Sequence, residues 1–105
     1  MRSTLMIIGL FSTLFIAQAQ AADVSVDQAG QQFSQSSLTL KAGDTLVFTN
    51  KDDVTHNVKV INGDDTDDKG LQKPGEVIKA TFAKPGTYQV RCAIHPKMKI
   101  DVTVQ

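Results

Sequence analysis

Tryptophan is absent from this chain of 105 residues, cysteine occurs once, proline three times, and neither sign of charge prevails, with 11 basic against 11 acidic side chains. Each shortage excludes something. A single cysteine cannot close an internal disulfide, so a disulfide-stapled scaffold is ruled out. A formal charge of zero removes the broad basic surface that nucleic-acid binding needs. Three prolines and seven glycines are too few for a low-complexity or collagen-like chain. The longest apolar run, Leu5 to Ala17, has 13 residues, well short of the roughly 20 that a spanning helix requires. The length itself allows one domain.

That apolar run has a different grammar. Arg2 precedes it, and Ala17-Gln18-Ala19 and Ala19-Gln20-Ala21 follow it. A positive start, a short apolar core and an A-x-A step describe a secretory signal peptide. The reading is therefore residues 1–19 as signal peptide, with cleavage between about 19 and 22, and residues 20–105 as a single exported domain without a membrane span. Beyond residue 19 only 31 of 86 residues are apolar. A domain so small and so lean in apolar material gains from a bound metal, which stabilises the folded state that holds it.

The remaining chain consists of short segments rich in Val, Thr, Ile and Phe, separated by turn residues. Lys41-Ala42-Gly43-Asp44, Lys73-Pro74-Gly75 and Lys84-Pro85-Gly86 are the turns. Between them Leu46, Phe48 and Asn50 alternate, as do Ile78, Ala80 and Phe82, and Ile100, Val102 and Val104. Period-2 strands with turns every 8–12 residues or so predict an all-β fold, a sandwich or a barrel. The stretch Asn62 to Gly70, with its acidic run Asp64-Asp65-Thr66-Asp67-Asp68, is predicted as a polar, solvated loop. It lacks the glycine and terminal glutamate of a calcium loop at the required offsets.

Strand parity then sends two reactive side chains inward. Tyr88, Val90 and Cys92 share one face of a strand, and His56 shares its face with Val58 and Val60. The mature chain has two histidines, one cysteine and one methionine. Three of the four lie in the loop Cys92-Ala93-Ile94-His95-Pro96-Lys97-Met98, with His56 some 36 residues upstream. A thiolate and a thioether beside two imidazoles select copper over magnesium, calcium or manganese, and zinc gains little from the thioether. Two histidines and a cysteine with a weak axial methionine make an electron-transfer copper site. A catalytic Cys–His pair needs an exposed thiolate with an orienting third group, and parity buries Cys92.

These residues resemble the plastocyanin/azurin (cupredoxin) family of blue copper proteins. The likeness runs through Lys41 to Asn50, His56-Asn57-Val58, and Pro85-Gly86-Thr87-Tyr88 into the Cys92 loop, whose Cys-x2-His-x2-Met spacing is similar to the short ligand loop of the amicyanin branch. The resemblance implies a small Greek-key β-sandwich and one copper ion, cycling between Cu(I) and Cu(II), on His56, Cys92 and His95 with Met98 axial. It also implies that Asn57 ties the two ligand segments together. Ile94 and Lys97 depart from that branch, which has proline and an apolar aromatic there. The Ile94 N–H is expected to reach the Cys92 sulfur. Function follows as a soluble one-electron carrier, not an enzyme, exported to the periplasm. It is expected as a monomer that docks transiently near His95, rimmed by Val54, Ala93 and Pro96. Its partners would be redox proteins such as a periplasmic dehydrogenase or a cytochrome. A periplasmic copper-delivery protein without a redox role is the alternative.

Overall fold

A computed structural model describes residues 20–105 together with Gly9, so the expected signal peptide lies outside the described residues apart from that glycine. Among the described residues nine strands follow one another: β1 (Asp23–Ala29), β2 (Gln32–Phe33), β3 (Ser37–Leu40), β4 (Asp44–Asn50), β5 (His56–Asn62), β6 (Asp65–Gln72), β7 (Val77–Phe82), β8 (Gly86–Arg91) and β9 (Lys99–Val104). They form two sheets, one in the order β2-β1-β4-β7 and the other β3-β9-β8-β5-β6. The β1–β4 and β3–β9 pairs are parallel and the rest antiparallel.

The alternation in the sequence is what stacks them. β4 buries Leu46, Phe48 and Asn50 and turns Thr45, Val47 and Thr49 outward. β9 buries Ile100, Val102 and Val104. The inward faces of the two sheets meet in one core, with Val26, Phe48 and Phe82 from the first and Val58, Val90 and Ile100 from the second. Phe33 packs edge-on against Phe48 with ring centroids 5.9 Å apart. Burying an aromatic of this kind is worth on the order of 2–3 kcal/mol in apolar area alone. At the opposite end, Tyr88 donates its hydroxyl to the Lys84 carbonyl (2.8 Å) and stacks edge-on against Phe82, which fixes the Lys84-Pro85-Gly86 turn.

One expectation fails. The acidic stretch is no loop: Asp65–Gln72 is the edge strand β6, hairpinned onto β5 through Gly63. Its first five residues are all exposed, so it carries no apolar alternation, and among the described residues β5 is the only strand it pairs with. Aspartates along an edge also discourage a second sheet from adding there.

Candidate metal centre

His56 opens β5 and is fully buried. Its approach is set by the preceding loop. Asn50 donates its amide to Val54 O (2.9 Å) and Gln72 O (3.0 Å) and accepts from Asp52 N–H (2.9 Å), so the loop closes around one buried side chain. Asp52 is thereby aimed at His56 Nε2, at 2.6 Å. The same carboxylate accepts from the Gly30 and Gln31 N–H groups, at 2.6 and 2.9 Å. Those two residues form the β1–β2 turn, both at positive φ, a conformation that points adjacent amides the same way and that glycine adopts without strain. Burial pushes the Asp52 carboxyl up, but the bonds from His56, Gln31 and Gly30 outweigh it and hold it below the ordinary carboxylate range. A carboxylate on Nε2 makes that nitrogen the proton donor and leaves Nδ1 of neutral His56 as a lone pair facing inward.

Cys92 follows β8 and is buried, as parity requires. The Asn57 N–H reaches its sulfur at 3.3 Å. This corrects the expectation for Ile94, whose N–H is not among the sulfur's partners. Asn57 does tie the two segments: its Oδ1 accepts from Ala93 N–H (3.0 Å) while its backbone serves Cys92. The loop that follows is closed on itself, with Met98 N–H bonded to His95 O (2.9 Å) and Cys92 N–H to Met98 O (3.3 Å). Met98 is buried at its end and His95 is only partly covered.

The three candidate donors converge. His56 Nδ1 and His95 Nδ1 lie 3.1 Å apart, and Cys92 Sγ lies 3.8 and 3.7 Å from them. A point equidistant from these corners is about 2.1 Å from each, the length of a metal–imidazole bond (~2.0–2.1 Å) and slightly under a metal–thiolate bond (~2.3 Å). One ion fits there with an adjustment of about 0.2 Å at the sulfur. The donor set of two imidazoles and a thiolate suits copper.

Above the centre lies a shallow pocket of about 270 Å³ walled by Gln31, Ile94, His95, Pro96 and Lys97. Ala93 and Pro96 are exposed, as expected for a rim, and Val54 is half-buried. Ile94, 47% exposed, is the larger apolar element. Sequence reasoning missed Asp52 as the partner of His56 and Asn50 as the organiser of the loop. The available signal was a carboxylate four residues before a histidine whose own parity is inward.

The profile of the copper-binding plastocyanin/azurin family matches residues 20–105. Amicyanin of Paracoccus denitrificans is 33% identical over 94 residues, which cover 85% of this chain and 72% of that protein. Chloroplastic plastocyanin of Physcomitrium patens is 34% identical over 106 residues, covering 89% of this chain and 63% of that one. Among solved structures, a Cu(I) form of an amicyanin variant superposes with a TM-score of 0.73 at 28% identity, over 79% of this chain and 82% of that one. A copper-containing nitrite reductase from Thermus scotoductus also matches, with a TM-score of 0.70 at 32% identity, over 79% of this chain but 22% of the enzyme.

Proposed function

The chain belongs to the plastocyanin/azurin family of copper-binding proteins, and from that premise we propose that His56 Nδ1, Cys92 Sγ and His95 Nδ1 would hold its copper ion, with the buried Met98 thioether as a further, weak ligand. The observation that carries the assignment is the triangle of donors, whose centre lies a metal–imidazole bond length from both nitrogens and about 0.2 Å short of a metal–thiolate bond from the sulfur.

The protein is a blue copper electron carrier. When bound, copper supplies the one-electron couple; everything else is the work of the chain. Asp52 keeps the His56 ring in one orientation and one tautomer. The Asn57 N–H partly neutralises the thiolate. Val58, Val90 and Ile100, all fully buried, belong to the core beneath the site, and a dry rigid cradle leaves little to rearrange when charge changes by one. His95 is the donor with an open side, so its ring edge is the port by which an electron enters and leaves.

A partner would dock on the exposed rim of Ala93, Ile94 and Pro96, with Lys97 at its margin. The contact would be small, transient and fast, as electron-transfer encounters are. Redox proteins such as a dehydrogenase or a cytochrome are the fitting partners, and a monomer suffices for the site. Among the described residues no helix is long and apolar enough to cross a membrane. Residues 1–19 have the charge, short apolar core and small-residue step of an export signal, which supports a periplasmic location.

The deciding experiment is the optical and EPR spectrum of residues 20–105 loaded with Cu(II). An intense visible thiolate-to-copper band with narrow hyperfine splitting is expected. A pale spectrum of tetragonal copper would mean that Cys92 is not a ligand, and the copper-delivery reading would replace this one.

A further inference from the structure

The acidic run looks like a solvated charge cluster, yet its members are not equivalent. Asp67 is turned outward to Lys69, with 2.7 Å between their charged atoms. Asp68, one residue on, is turned back toward the sheet. Its Oδ1 accepts from the Asn57 side-chain amide at 2.8 Å and from the Gly70 N–H at 2.8 Å.

The geometry points to Asp68 as a positioning residue for the Cys92 loop, acting through Asn57 from the outer edge strand. The inference rests on the reading of Cys92 as a copper ligand for its significance, though not for its geometry.

Asn57 has four duties and one orientation that meets them. Its Nδ2 donates to Asp68 Oδ1 (2.8 Å) and Gly70 O (3.1 Å), its Oδ1 accepts from Ala93 N–H (3.0 Å), and its backbone N–H serves Cys92 Sγ (3.3 Å). A flipped amide would set its NH2 against the Ala93 N–H and its oxygen against two acceptors. A carboxylate can only accept, so Asp68 enforces the orientation that captures Ala93, the residue next to Cys92. The chain of bonds Asp68–Asn57–Ala93 thus runs from the surface to the peptide that follows the thiolate.

The strand is bent to make this possible. Along β5 one residue separates Asn57 from Lys59, whereas their partners on β6, Leu71 and Asp68, are separated by two. The extra residue is a bulge at Lys69–Gly70, with Gly70 at φ +97°. A Cβ at Gly70 would meet nothing within 4 Å, so the glycine answers a demand of the backbone and not of space. Bulges of this kind re-aim a side chain, and here the one re-aimed is Asp68. The Gly70 N–H and the Asn57 amide, helped by Lys59 and opposed by burial, hold the Asp68 carboxyl below its ordinary range.

The test compares Asp68→Ala and Asp68→Asn with Asp67→Ala as the control for lost surface charge. Amide hydrogen exchange of Ala93 is measured in the copper-free protein, with Val90 in the core as the internal gauge of global opening. Copper affinity is then measured by competition in the loaded protein. Asp68→Ala is expected to speed Ala93 exchange and weaken copper binding by about tenfold each, the lower end of what loss of an outer hydrogen-bond partner costs a metal site, with Val90 unchanged. Asp68→Asn can still present an oxygen to Asn57 and Gly70, so it should restore both, and Asp67→Ala should alter neither. Unchanged Ala93 exchange in Asp68→Ala overturns the proposal. So does an Asp68→Asn variant as impaired as Asp68→Ala, because charge and not the bond would then be the cause. A wild-type protein with no thiolate-to-copper band would defeat the ligand reading instead, while the Ala93 exchange would still decide the role of Asp68.

Discussion

His56 is fully buried at the head of a strand with its outer nitrogen clamped by Asp52, whereas His95 rides a closed loop and keeps one side of its ring toward a shallow pocket. Both present Nδ1 to the same centre, 3.1 Å apart. The support behind His56 is layered: Asp52 holds its ring, and Asp52 is held in turn by Asn50 and by the Gly30-Gln31 turn, some 20 residues upstream. Those behind His95 are local, since the loop is closed by bonds between His95, Met98 and Cys92. The contrast divides the labour of an electron carrier. One half of the site sets geometry and resists reorganisation, and the other half offers an edge to the outside.

The comparison breaks first at Asp52. If the buried half sets geometry, Asp52→Ala should cost roughly 10–100-fold in copper affinity, the usual effect of removing the carboxylate behind a ligating histidine. Competition with a chelator of known affinity measures it, and an affinity within twofold of wild type would show that the loop half alone determines binding.

A smaller and different effect belongs to the exposed half. Ile94→Lys places a second cation beside Lys97 on the rim while leaving every ligand in place. Electron self-exchange between two copies, read from NMR line broadening in mixed Cu(I)/Cu(II) samples, needs that rim and no outside partner. It should slow roughly tenfold at low salt and recover as salt screens the charges, with the absorption spectrum unchanged. An unaltered rate would place the port elsewhere.

The smallest effect lies at the far end of the sandwich and sharpens the comparison as a scaffold control. Asp44 accepts from the Ala22 N–H (2.9 Å) and the Lys41 N–H (2.8 Å), and these bonds, opposed by burial and helped by the Lys41 charge, hold its carboxyl below the ordinary carboxylate range. A depressed folded-state pKa contributes stability above the unfolded value that is lost as pH falls through the folded one. Asp44→Asn should therefore lower the melting temperature at neutral pH, and the difference from wild type should shrink below pH 3.8. The copper spectrum should not change. A constant difference across that window would assign the effect to packing and not to the carboxylate.

How much was legible beforehand follows the same division. Parity alone sends His56 and Cys92 inward, because a strand with one buried face writes its period into the sequence. The seven-residue spacing of Cys92, His95 and Met98 is equally visible, since a short closed loop keeps its candidate ligands adjacent in the chain. The strand β6 was not legible. Exposed on both faces along Asp65–Lys69, it has no alternation to read, and its pairing with β5 decides its structure. Nor was the donor on the Cys92 sulfur: Ile94 is near in sequence, but Asn57 is near in space.

Residue chemistry and local periodicity therefore determined the all-β class, the inward direction of the candidate ligands and the preference for copper, because these depend on side-chain type and on a repeat of two. The partners that hold those ligands were decided by tertiary structure. Asp52 reaches across to the Gly30-Gln31 turn, and Asp68 reaches Asn57 over a bulge. Hydrogen bonds between residues 11 to 36 positions apart leave no period in the chain, and they exist only once the strands have paired and brought their ends to the same place.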